Sequence, residues 1–354
     1  MTEIDRPGKN WPALLLAWFD RNKRDLPWRE AKPRNPYHVW ISEIMLQQTR
    51  TEAVKPYFVS WMERFPTIHD LAHADEADVL HQWQGLGYYT RARNIHRAAR
   101  EVEEKYGGRL PENKEEILSL PGIGSYTAGA ILSMAYGKKE AAIDGNVLRV
   151  YARLYAVEED ILKTGGRKII ESLVGKTLPG RAGDFNEALM DLGAEICIPK
   201  NPRCESCPLV SLCRAFREGK TKSLPFRTPK KPQKEEEAAC AIIIRKGKVL
   251  LHKRPSKGML ASMWEFPMAL SGSREEAKEA LETLLTGRAG DSLWQYRHVF
   301  THRIWHMNAY SMEDIHLPEG EYRWFSPEEY REIPLAGPHA RLAAFVEKLI
   351  DGGC

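Results

Sequence analysis

The stretch Leu120-Pro-Gly-Ile-Gly-Ser-Tyr-Thr-Ala128 decides the architecture of the first half of the chain. It follows one segment of helical apolar spacing and opens another, and Gly122 and Gly124 permit a tight turn with backbone angles that other residues avoid. Such a turn, followed by a helix N-terminus at Ser125, points backbone N–H groups at an external anion. The stretch therefore predicts two helices joined by a hairpin that contacts a phosphate, although a plain packing turn between helices would have the same sequence.

Helical spacing extends outward from this hairpin through the first 216 residues. Apolar residues recur every three or four positions in five segments, which are Trp11–Phe19, Val39–Leu46, Val54–Phe65, Val79–Trp83 and Ile117–Leu120. Proline and glycine residues separate these segments. We therefore expect a mostly α-helical first domain that comprises residues 1–216.

The pattern changes beyond residue 216. Residues 217–236 are rich in Lys, Pro and Glu, as linkers often are. Two segments with the character of strands, Ala239–Arg245 and Lys248–His252, flank a turn at Lys246-Gly247. The sequence thus predicts a multidomain protein with a linker at 217–236 and an α+β second domain at 237–354.

Composition and charge limit the class of protein. The chain has 354 residues, a net charge of +4 and a pI of about 8.6. No apolar run approaches the ~18 residues that a membrane span needs, and the polar N-terminus has no signal-peptide core, so we expect a cytoplasmic protein with no membrane partner. Between Arg214 and Lys234 eight basic residues accompany one acidic residue, Glu218. This stretch is either a solvated linker or a strap that contacts phosphates.

Four of the six cysteines are concentrated in one segment, with the spacing Cys197-x6-Cys204-x2-Cys207-x5-Cys213. In a chain without a secretion signal, such a group indicates metal binding and not disulfides. Four thiolates can hold one zinc ion or ligate the four irons of a cubane cluster. The long first gap differs from the paired C-x2-C knuckles of a zinc ribbon, but the chemistry of the ligands alone leaves both alternatives open.

An acidic residue, Asp144, lies twenty residues beyond Gly124 in Ile143-Asp-Gly-Asn-Val-Leu-Arg149. The hairpin, this aspartate and the cysteine spacing together resemble the helix-hairpin-helix DNA glycosylases of the endonuclease III superfamily. The resemblance implies double-stranded DNA as the partner and a [4Fe–4S] cluster as the cofactor, held by Cys197, Cys204, Cys207 and Cys213. It also implies that Asp144, assisted by Asn146, stabilises or captures the positive charge that builds on the sugar when an N-glycosidic bond breaks.

Two further features, one position and one segment, separate the branches of this superfamily. The endonuclease III branch carries a nucleophilic lysine in the hairpin, where this chain has Tyr126, so a strand-cutting lyase step lacks its nucleophile. The segment Trp40-Ile-Ser-Glu-Ile-Met-Leu-Gln-Gln-Thr49 resembles the signature of the MutY-type adenine DNA glycosylases. In that family Glu43 would be the general acid that protonates N7 of adenine, with Tyr126 assisting. The apolar neighbours of Glu43 in a helix should raise the pKa of its carboxyl, as the role of general acid requires.

The resemblance also identifies residues that contact DNA and the flipped base. A flipped adenine leaves a gap in the stack, which side chains of the protein fill. One set of matching residues lies near the signature and in the segment Gly85-Leu-Gly-Tyr-Tyr-Thr-Arg-Ala-Arg93, and comprises Gln48, Thr49, Leu86 and Tyr88. Arg29 and Glu187 match the family positions that line the adenine pocket.

The second domain resembles the Nudix-type fold with which MutY-type proteins recognise 8-oxoguanine, through Val249-Leu-Leu-His-Lys-Arg-Pro255 and Leu260-Ala-Ser-Met-Trp-Glu-Phe-Pro267. A Nudix hydrolase needs an R-E-x2-E-E-x-G helix, and the segment Arg274–Glu282 has acidic residues without that pattern. The residues Phe300, Thr301 and His302 resemble the family's Phe-Ser-His loop, with Thr301 in place of the usual serine. The threonine hydroxyl can still bond the N7 hydrogen that distinguishes 8-oxoguanine.

Taken together, these features imply a monomeric, monofunctional base-excision-repair enzyme that hydrolyses adenine from mispairs with 8-oxoguanine or guanine and leaves an abasic site. One alternative is an endonuclease III-like enzyme acting on oxidised pyrimidines, against which Tyr126 and the second domain argue. A second is a Nudix hydrolase of the nucleotide pool, against which the degenerate helix argues. A third is a non-catalytic iron–sulfur DNA-binding protein, in which Glu43 and Asp144 would be incidental.

Overall fold

Helices form the first part of the chain, as its apolar spacing predicts. A computed structural model describes residues 10–29, 33–229 and 232–351. The helices up to the hairpin are α1 (Trp11–Asn22), α2 (Pro36–Met45), α3 (Thr51–Arg64), α4 (Ile68–His73), α5 (Glu76–Gln82), α6 (Thr90–Tyr106) and α7 (Lys114–Ser119). Beyond it lie α8 (Ser125–Ala130), α9 (Gly145–Leu154), α10 (Thr164–Thr177), α11 (Ala182–Glu195) and α12 (Arg214–Arg217).

The hairpin between α7 and α8 is confirmed where the paired glycines predict it. Gly122 has a φ of +79°, and a Cβ at this position would lie 2.7 Å from Cβ of Asn94 on α6. Only glycine satisfies both conditions, because other residues are strained at this φ and would collide with α6. The turn therefore fixes how closely the hairpin approaches α6, and α8 continues directly into a π-helical turn at Ile131–Ala135.

Buried helices α9 and α11, with α1 packed on them, form the core of the helical part. The Trp11 ring lies 5.5 Å from that of Tyr151 and 5.4 Å from that of Phe185, so that one side chain of each helix meets at this point. Helix α2 is almost wholly buried and begins at Pro36, after Asn35, whose side chain accepts a hydrogen bond from the Tyr37 backbone N–H. The end of α2 and the start of α9 therefore belong to helices that are held rigidly by the core.

Strands dominate the remainder of the chain. They are β1 (Lys234–Ile242), β2 (Ile244–Arg245), β3 (Lys248–Lys253), β4 (Trp264–Glu265), β5 (Met268–Ser271), β6 (Arg288–Val299), β7 (Arg303–Glu313) and β8 (Tyr322–Phe325), with helices α13 (Arg274–Leu285), α14 (Pro327–Arg331) and α15 (Gly337–Asp351). One sheet has the order β5-β1-β7-β6, in which β1 and β7 are parallel; in the other, β3 pairs with β2, β4 and β8. Alternate residues of β1 face two apolar clusters, one on each face of the sheet.

The contacts divide the described chain into two compact units. The helical unit comprises 10–29, 33–73 and 94–229, and the sheet unit comprises 74–93 together with 232–351. The stretch predicted as a linker, 217–236, contains the start of β1, and its residue Thr228 donates to the Asp160 side chain of the helical unit. The boundaries of the predicted domains stay a prediction. Among the described helices, none is both long and apolar enough to cross a bilayer.

Local predictions in the sheet unit are confirmed with one correction. The turn at Lys246-Gly247 has positive φ at both residues, as expected for a tight turn between strands. The single predicted strand Ala239–Arg245 is wrong, because it is divided after Ile242 and its two parts join different sheets. A continuous apolar run does not show where a strand leaves one sheet for another.

Candidate active site

A cavity of about 570 Å³ in the helical unit brings together the residues predicted for catalysis. Its walls come from the end of α2, the start of α8, the start of α9 and the middle of α11. The predicted residues that line it are Arg29, Glu43, Gln48, Thr49, Tyr126, Asp144, Asn146 and Glu187. The volume is in the range of pockets that enclose small organic ligands, which are about 300–1,000 Å³.

Glu43 lies on α2 and is buried, at 5 % exposure. The hydroxyl of Tyr126 donates a hydrogen bond to its Oε2. Burial raises the pKa of Glu43 to about 7, and the nearby Asp144 and Glu187 also raise it, whereas the Tyr126 hydrogen bond and Arg29 lower it. The dominant cause is the loss of water around the charged form, so that the carboxyl can carry a proton near neutral pH.

Asp144 is the N-cap of α9. Its Oδ1 accepts hydrogen bonds from the backbone N–H groups of Asn146 (2.8 Å) and Val147 (2.7 Å), and its Oδ2 accepts one from the Asn146 side chain (2.7 Å). Burial raises the pKa of Asp144, and these donors, together with Arg149, oppose that rise. The cap therefore holds the carboxylate in one orientation by groups that favour its ionised form.

A buried arginine connects Asn146 with the cysteine segment. Arg149 donates from one Nη to the side-chain oxygen of Asn146 (2.7 Å) and to the Gly193 carbonyl (2.7 Å), and from Nε to the Cys197 carbonyl (2.7 Å). Arg149 is not among the site residues predicted from the sequence. Its position five residues after Asp144, one turn beyond Asn146 on the same helix, was the available signal.

Arg29 and Glu187 belong to a chain of alternating charges along one wall of the cavity. The Arg29 guanidinium lies 3.2 Å from Glu187 Oε1 and 2.7 Å from Asp191 Oδ2. At one end Arg34 contacts Glu187 Oε2 at 2.6 Å, and at the other Arg24 contacts Asp191 Oδ1 at 2.6 Å. Burial raises the pKa of Glu187, and Arg29 and Arg34 oppose this.

The outer members of this chain of charges, which are Arg34, Asp191 and Arg24, are not among the residues predicted from the sequence. Asp191 follows Glu187 by four residues on α11, so that both carboxylates lie on one face of the helix. Arg24 precedes Arg29 within one short loop. Helical spacing could have identified Asp191, but no local pattern shows that Arg34 contacts Glu187, which lies 153 residues away in the chain.

Predicted DNA-contacting groups of the helical unit lie in exposed turns. Gly122, Gly124 and Ser125 are all exposed at the hairpin. Between α2 and α3, Gln48 has a φ of 62°, which a non-glycine residue rarely adopts, and Thr49 follows it. Such strained backbone is often found at functional sites.

The segment 85–91 of the sheet unit likewise contains an exposed residue with strained backbone. Tyr88 has a φ of 50° and is 44 % exposed, while Arg91 lies against its ring (5.6 Å) and donates to the Leu86 carbonyl (3.0 Å). Leu86 is 6 % exposed, and apolar burial keeps its side chain inside; its place among the DNA-contacting residues stays a prediction. Tyr88 is therefore the residue of the pair that presents its side chain outward.

The four cysteines of the 197–213 segment line one small cavity and form no disulfide. Arg153 lies beside them, donating to the carbonyls of Ile198 (2.7 Å) and Pro199 (2.9 Å) and lying 3.4 Å from Cys197 Sγ. Among the described residues, no three His, Cys, Asp or Glu side chains converge as the ligands of a single metal ion. Four thiols around a shared, largely apolar space are a donor set that suits an iron–sulfur cluster.

Carboxylates neutralise part of the basic stretch from Arg214 to Lys234. Arg214 pairs with Glu218 at 2.9 Å, Lys220 with Glu158 at 2.6 Å, and Lys234 with Glu236 at 2.7 Å. These pairs are partly exposed and contribute little to stability.

The loop Phe300–His302 joins β6 and β7 in the sheet unit. The Phe300 ring packs against Trp305, with 4.8 Å between the ring centroids, whereas His302 is exposed and Thr301 half-buried. Phe300 therefore anchors the loop, and Thr301 and His302 form its outer surface.

Known protein families match both parts of the chain. Residues 41–176 match the family model described as HhH-GPD superfamily base excision DNA repair protein, and residues 238–344 match the NUDIX domain model. The adenine DNA glycosylase of Mus musculus is 35 % identical over 89 % of this chain and 74 % of its own length. That of Buchnera aphidicola subsp. Acyrthosiphon pisum is 34 % identical over 96 % of both chains.

Solved structures agree on the fold of the helical part. A thermostable thymine-DNA glycosylase superposes with a TM-score of 0.53 and 32 % identity, over 60 % of this chain and 97 % of the other. An endonuclease III–DNA complex superposes with a TM-score of 0.51 and 24 % identity, over 60 % of this chain and 95 % of the other, and shows the fold alone. The predicted fold class, a helix-hairpin-helix glycosylase domain followed by a Nudix-like domain, is confirmed. The chain belongs to the adenine DNA glycosylase family and removes adenine from DNA in base excision repair.

Proposed function

We propose that this enzyme removes adenine paired with 8-oxoguanine or guanine in double-stranded DNA, acting as a monomer, and leaves an abasic site without cutting the strand. The observation that carries the proposal is the cavity in which Glu43, with a pKa near 7, and the capped Asp144 are both lining residues. One carboxyl that can carry a proton near neutral pH and one carboxylate whose hydrogen-bond donors favour its ionised form divide the acid and electrostatic roles between them.

The catalytic roles follow from these two environments. Glu43, about half protonated at pH 7 for such a pKa, gives its proton to N7 of the flipped adenine, and the C1′–N9 bond breaks with its electron pair leaving on the base. Asp144 stabilises the positive charge that remains on the sugar, and Asn146 holds it in place. Water then adds to C1′, and the ionised Glu43 takes up the proton that this water releases.

Glu187 recognises the flipped adenine and distinguishes it from guanine. Its carboxylate, paired with Arg29 and Arg34, accepts a hydrogen bond from the 6-amino group of adenine. Guanine presents a carbonyl oxygen at the same position, which a carboxylate repels. Burial raises the pKa of Glu187, and its two arginine partners oppose that rise and so favour the ionised carboxylate that accepts a hydrogen bond.

Recognition of the opposite base belongs to the sheet unit. The Thr301 hydroxyl accepts the N7 hydrogen that 8-oxoguanine has and guanine lacks. The hairpin glycines and Ser125 contact DNA phosphate, and Gln48 and Tyr88 occupy the stack after the adenine has flipped. The exposure of Tyr88 and of the hairpin supports these assignments.

We further propose that Cys197, Cys204, Cys207 and Cys213 hold a [4Fe–4S] cluster; zinc is the alternative. When bound, the cluster ties the 197–213 segment into one covalent unit. Quantification of iron and acid-labile sulfide in the purified protein, with visible absorption, tests this proposal. Zinc at one equivalent without sulfide would overturn it.

The activity test uses a duplex with adenine opposite 8-oxoguanine and a label on each strand. We expect a break in the adenine strand that appears only after alkali, and its loss in Glu43→Gln and Asp144→Asn. A break without alkali would contradict the monofunctional assignment, because it requires a lyase nucleophile. No break with alkali, in protein that retains its cluster, would contradict the proposed substrate and direct attention to oxidised pyrimidines.

A further inference from the structure

The backbone carbonyls of the Phe300–His302 loop are all held by two consecutive residues of a distant segment. The Gln233 side-chain amide donates to the Phe300 carbonyl and reaches the Thr301 carbonyl at 3.4 Å. The next residue, Lys234, donates its backbone N–H to the His302 carbonyl at 3.2 Å. The loop is closed across its base by Phe300 N–H to the Arg303 carbonyl at 2.9 Å.

The base of the loop is rigid for reasons independent of Gln233. The buried Glu236 carboxylate accepts from the Arg303 guanidinium (3.0 Å) and from the indole N–H of Trp305 (3.2 Å). Strands β1 and β7 pair in parallel from Lys234 and Arg303 onward. Removing the Gln233 amide should therefore leave the sheet intact and free only the tip.

At the tip, Gln233 is the one side chain among the described residues that donates to the loop backbone. Its two contacts turn the carbonyls of Phe300 and Thr301 toward β1. Within the described part of the chain, neither the backbone N–H nor the hydroxyl of Thr301 has a hydrogen-bond partner. The outer surface of the loop thus keeps its polar groups available for a ligand.

We propose that Gln233 is a positioning residue for the recognition of 8-oxoguanine. Its amide orients the Phe300–His302 loop so that the Thr301 hydroxyl faces the damaged base. The proposal rests on the proposed role of Thr301. It also gives a function to a residue in the stretch that the sequence predicts to be a linker.

The test compares Gln233→Glu with Gln233→Ala. Glutamate has nearly the same shape as glutamine but, when ionised, has no donor and faces two carbonyl oxygens, so that it repels the loop. The control is Gln295→Glu, an exposed glutamine on β6 of the same sheet with no hydrogen bond to the loop. It introduces the same charge change.

Single-turnover rates are measured for adenine opposite 8-oxoguanine and opposite guanine, and their ratio is the readout. The ratio does not depend on how much of a variant is folded. We expect Gln233→Glu to lower it about tenfold and Gln233→Ala about threefold, the range of one net hydrogen bond. Gln295→Glu should keep the wild-type ratio.

Thr301→Ala separates this inference from the proposed function. If Thr301→Ala lowers the ratio and Gln233→Glu does not, Gln233 has no positioning role although the recognition of 8-oxoguanine by Thr301 stands. If Thr301→Ala leaves the ratio unchanged, the proposed role of Thr301 fails and the positioning role fails with it. If Gln233→Glu lowers both rates equally, Gln233 only supports the fold and the inference is overturned.

Discussion

The pH dependence of adenine release should report the hydrogen bond between Tyr126 and Glu43. That bond favours the ionised carboxylate and lowers the pKa of Glu43, against the larger effect of burial that raises it to about 7. Tyr126→Phe removes the hydroxyl and keeps the ring. The other groups that act on Glu43, which are Asp144, Glu187 and Arg29, remain in place.

The magnitude follows from the strength of one hydrogen bond to a charged group, about 1.5–3 kcal/mol. At about 1.36 kcal/mol per pKa unit, complete loss would raise the pKa of Glu43 by about one to two units. Because the phenol can also bond to the protonated acid, we expect the lower value, about one unit. The protonated form is the active one, so the rate falls at pH values above the pKa, near pH 7 in the wild type and about one unit higher in the variant.

The assay is the single-turnover rate of adenine release between pH 5 and pH 9 on one fixed duplex, for example in half-unit steps. Tyr136→Phe is the matched control, since its hydroxyl donates to the Leu110 carbonyl in the same unit and does not line the cavity. Its profile should coincide with that of the wild type. The amplitude in Tyr126→Phe can fall, because Tyr126 borders the reacting base, but the midpoint of the alkaline limb is the measured quantity. A midpoint that stays in place or moves to lower pH would refute the reasoning.

Other variants have equally definite expectations. Glu43→Gln should abolish adenine release. It should also stabilise the fold by about 3 kcal/mol at pH 8 but by less than about 1 kcal/mol at pH 5, because folding raises the pKa of Glu43 to about 7 and the wild-type protein therefore loses stability as the pH rises from the unfolded-state pKa of this carboxyl to about 7. Equal unfolding free energies of the variant and the wild type at pH 8 would contradict this. Asp191→Asn should leave Arg24 without this buried counter-charge and Arg29 with Glu187 alone, destabilise the protein by about 3–5 kcal/mol and lower the rate of adenine release. Asp20→Asn, at an exposed pair with Arg181, should do neither, and chemical denaturation and single-turnover kinetics compare the two variants. Cys207→Ser should lower bound iron and sulfide at least severalfold, while Cys240→Ala, at a buried cysteine of the sheet unit, should leave both at the wild-type level; unchanged iron in Cys207→Ser would remove that residue from the ligand set.

Several features of this protein could be predicted from the sequence because their causes are local. The hairpin depends on Gly122, whose residue type by itself permits the positive φ of the turn. The cap of α9 by Asp144 and the spacing of the four cysteines are likewise properties of short segments. The candidate catalytic residues were predicted from such motifs together with the resemblance to a known family, and the structure places them around one cavity.

The tertiary structure decided the features that depend on residues far apart in the chain. The hydroxyl that donates a hydrogen bond to Glu43 belongs to Tyr126, 83 residues away, and the carboxylate that pairs with Arg29 belongs to Asp191, 162 residues away. The Gln233 amide meets the Phe300 carbonyl across 67 residues, and a single predicted strand is divided between two sheets. Local periodicity records only which face of an element is apolar. Which distant side chains meet there depends on how the elements pack, and the buried environments that set the pKa of Glu43 form only when they have packed.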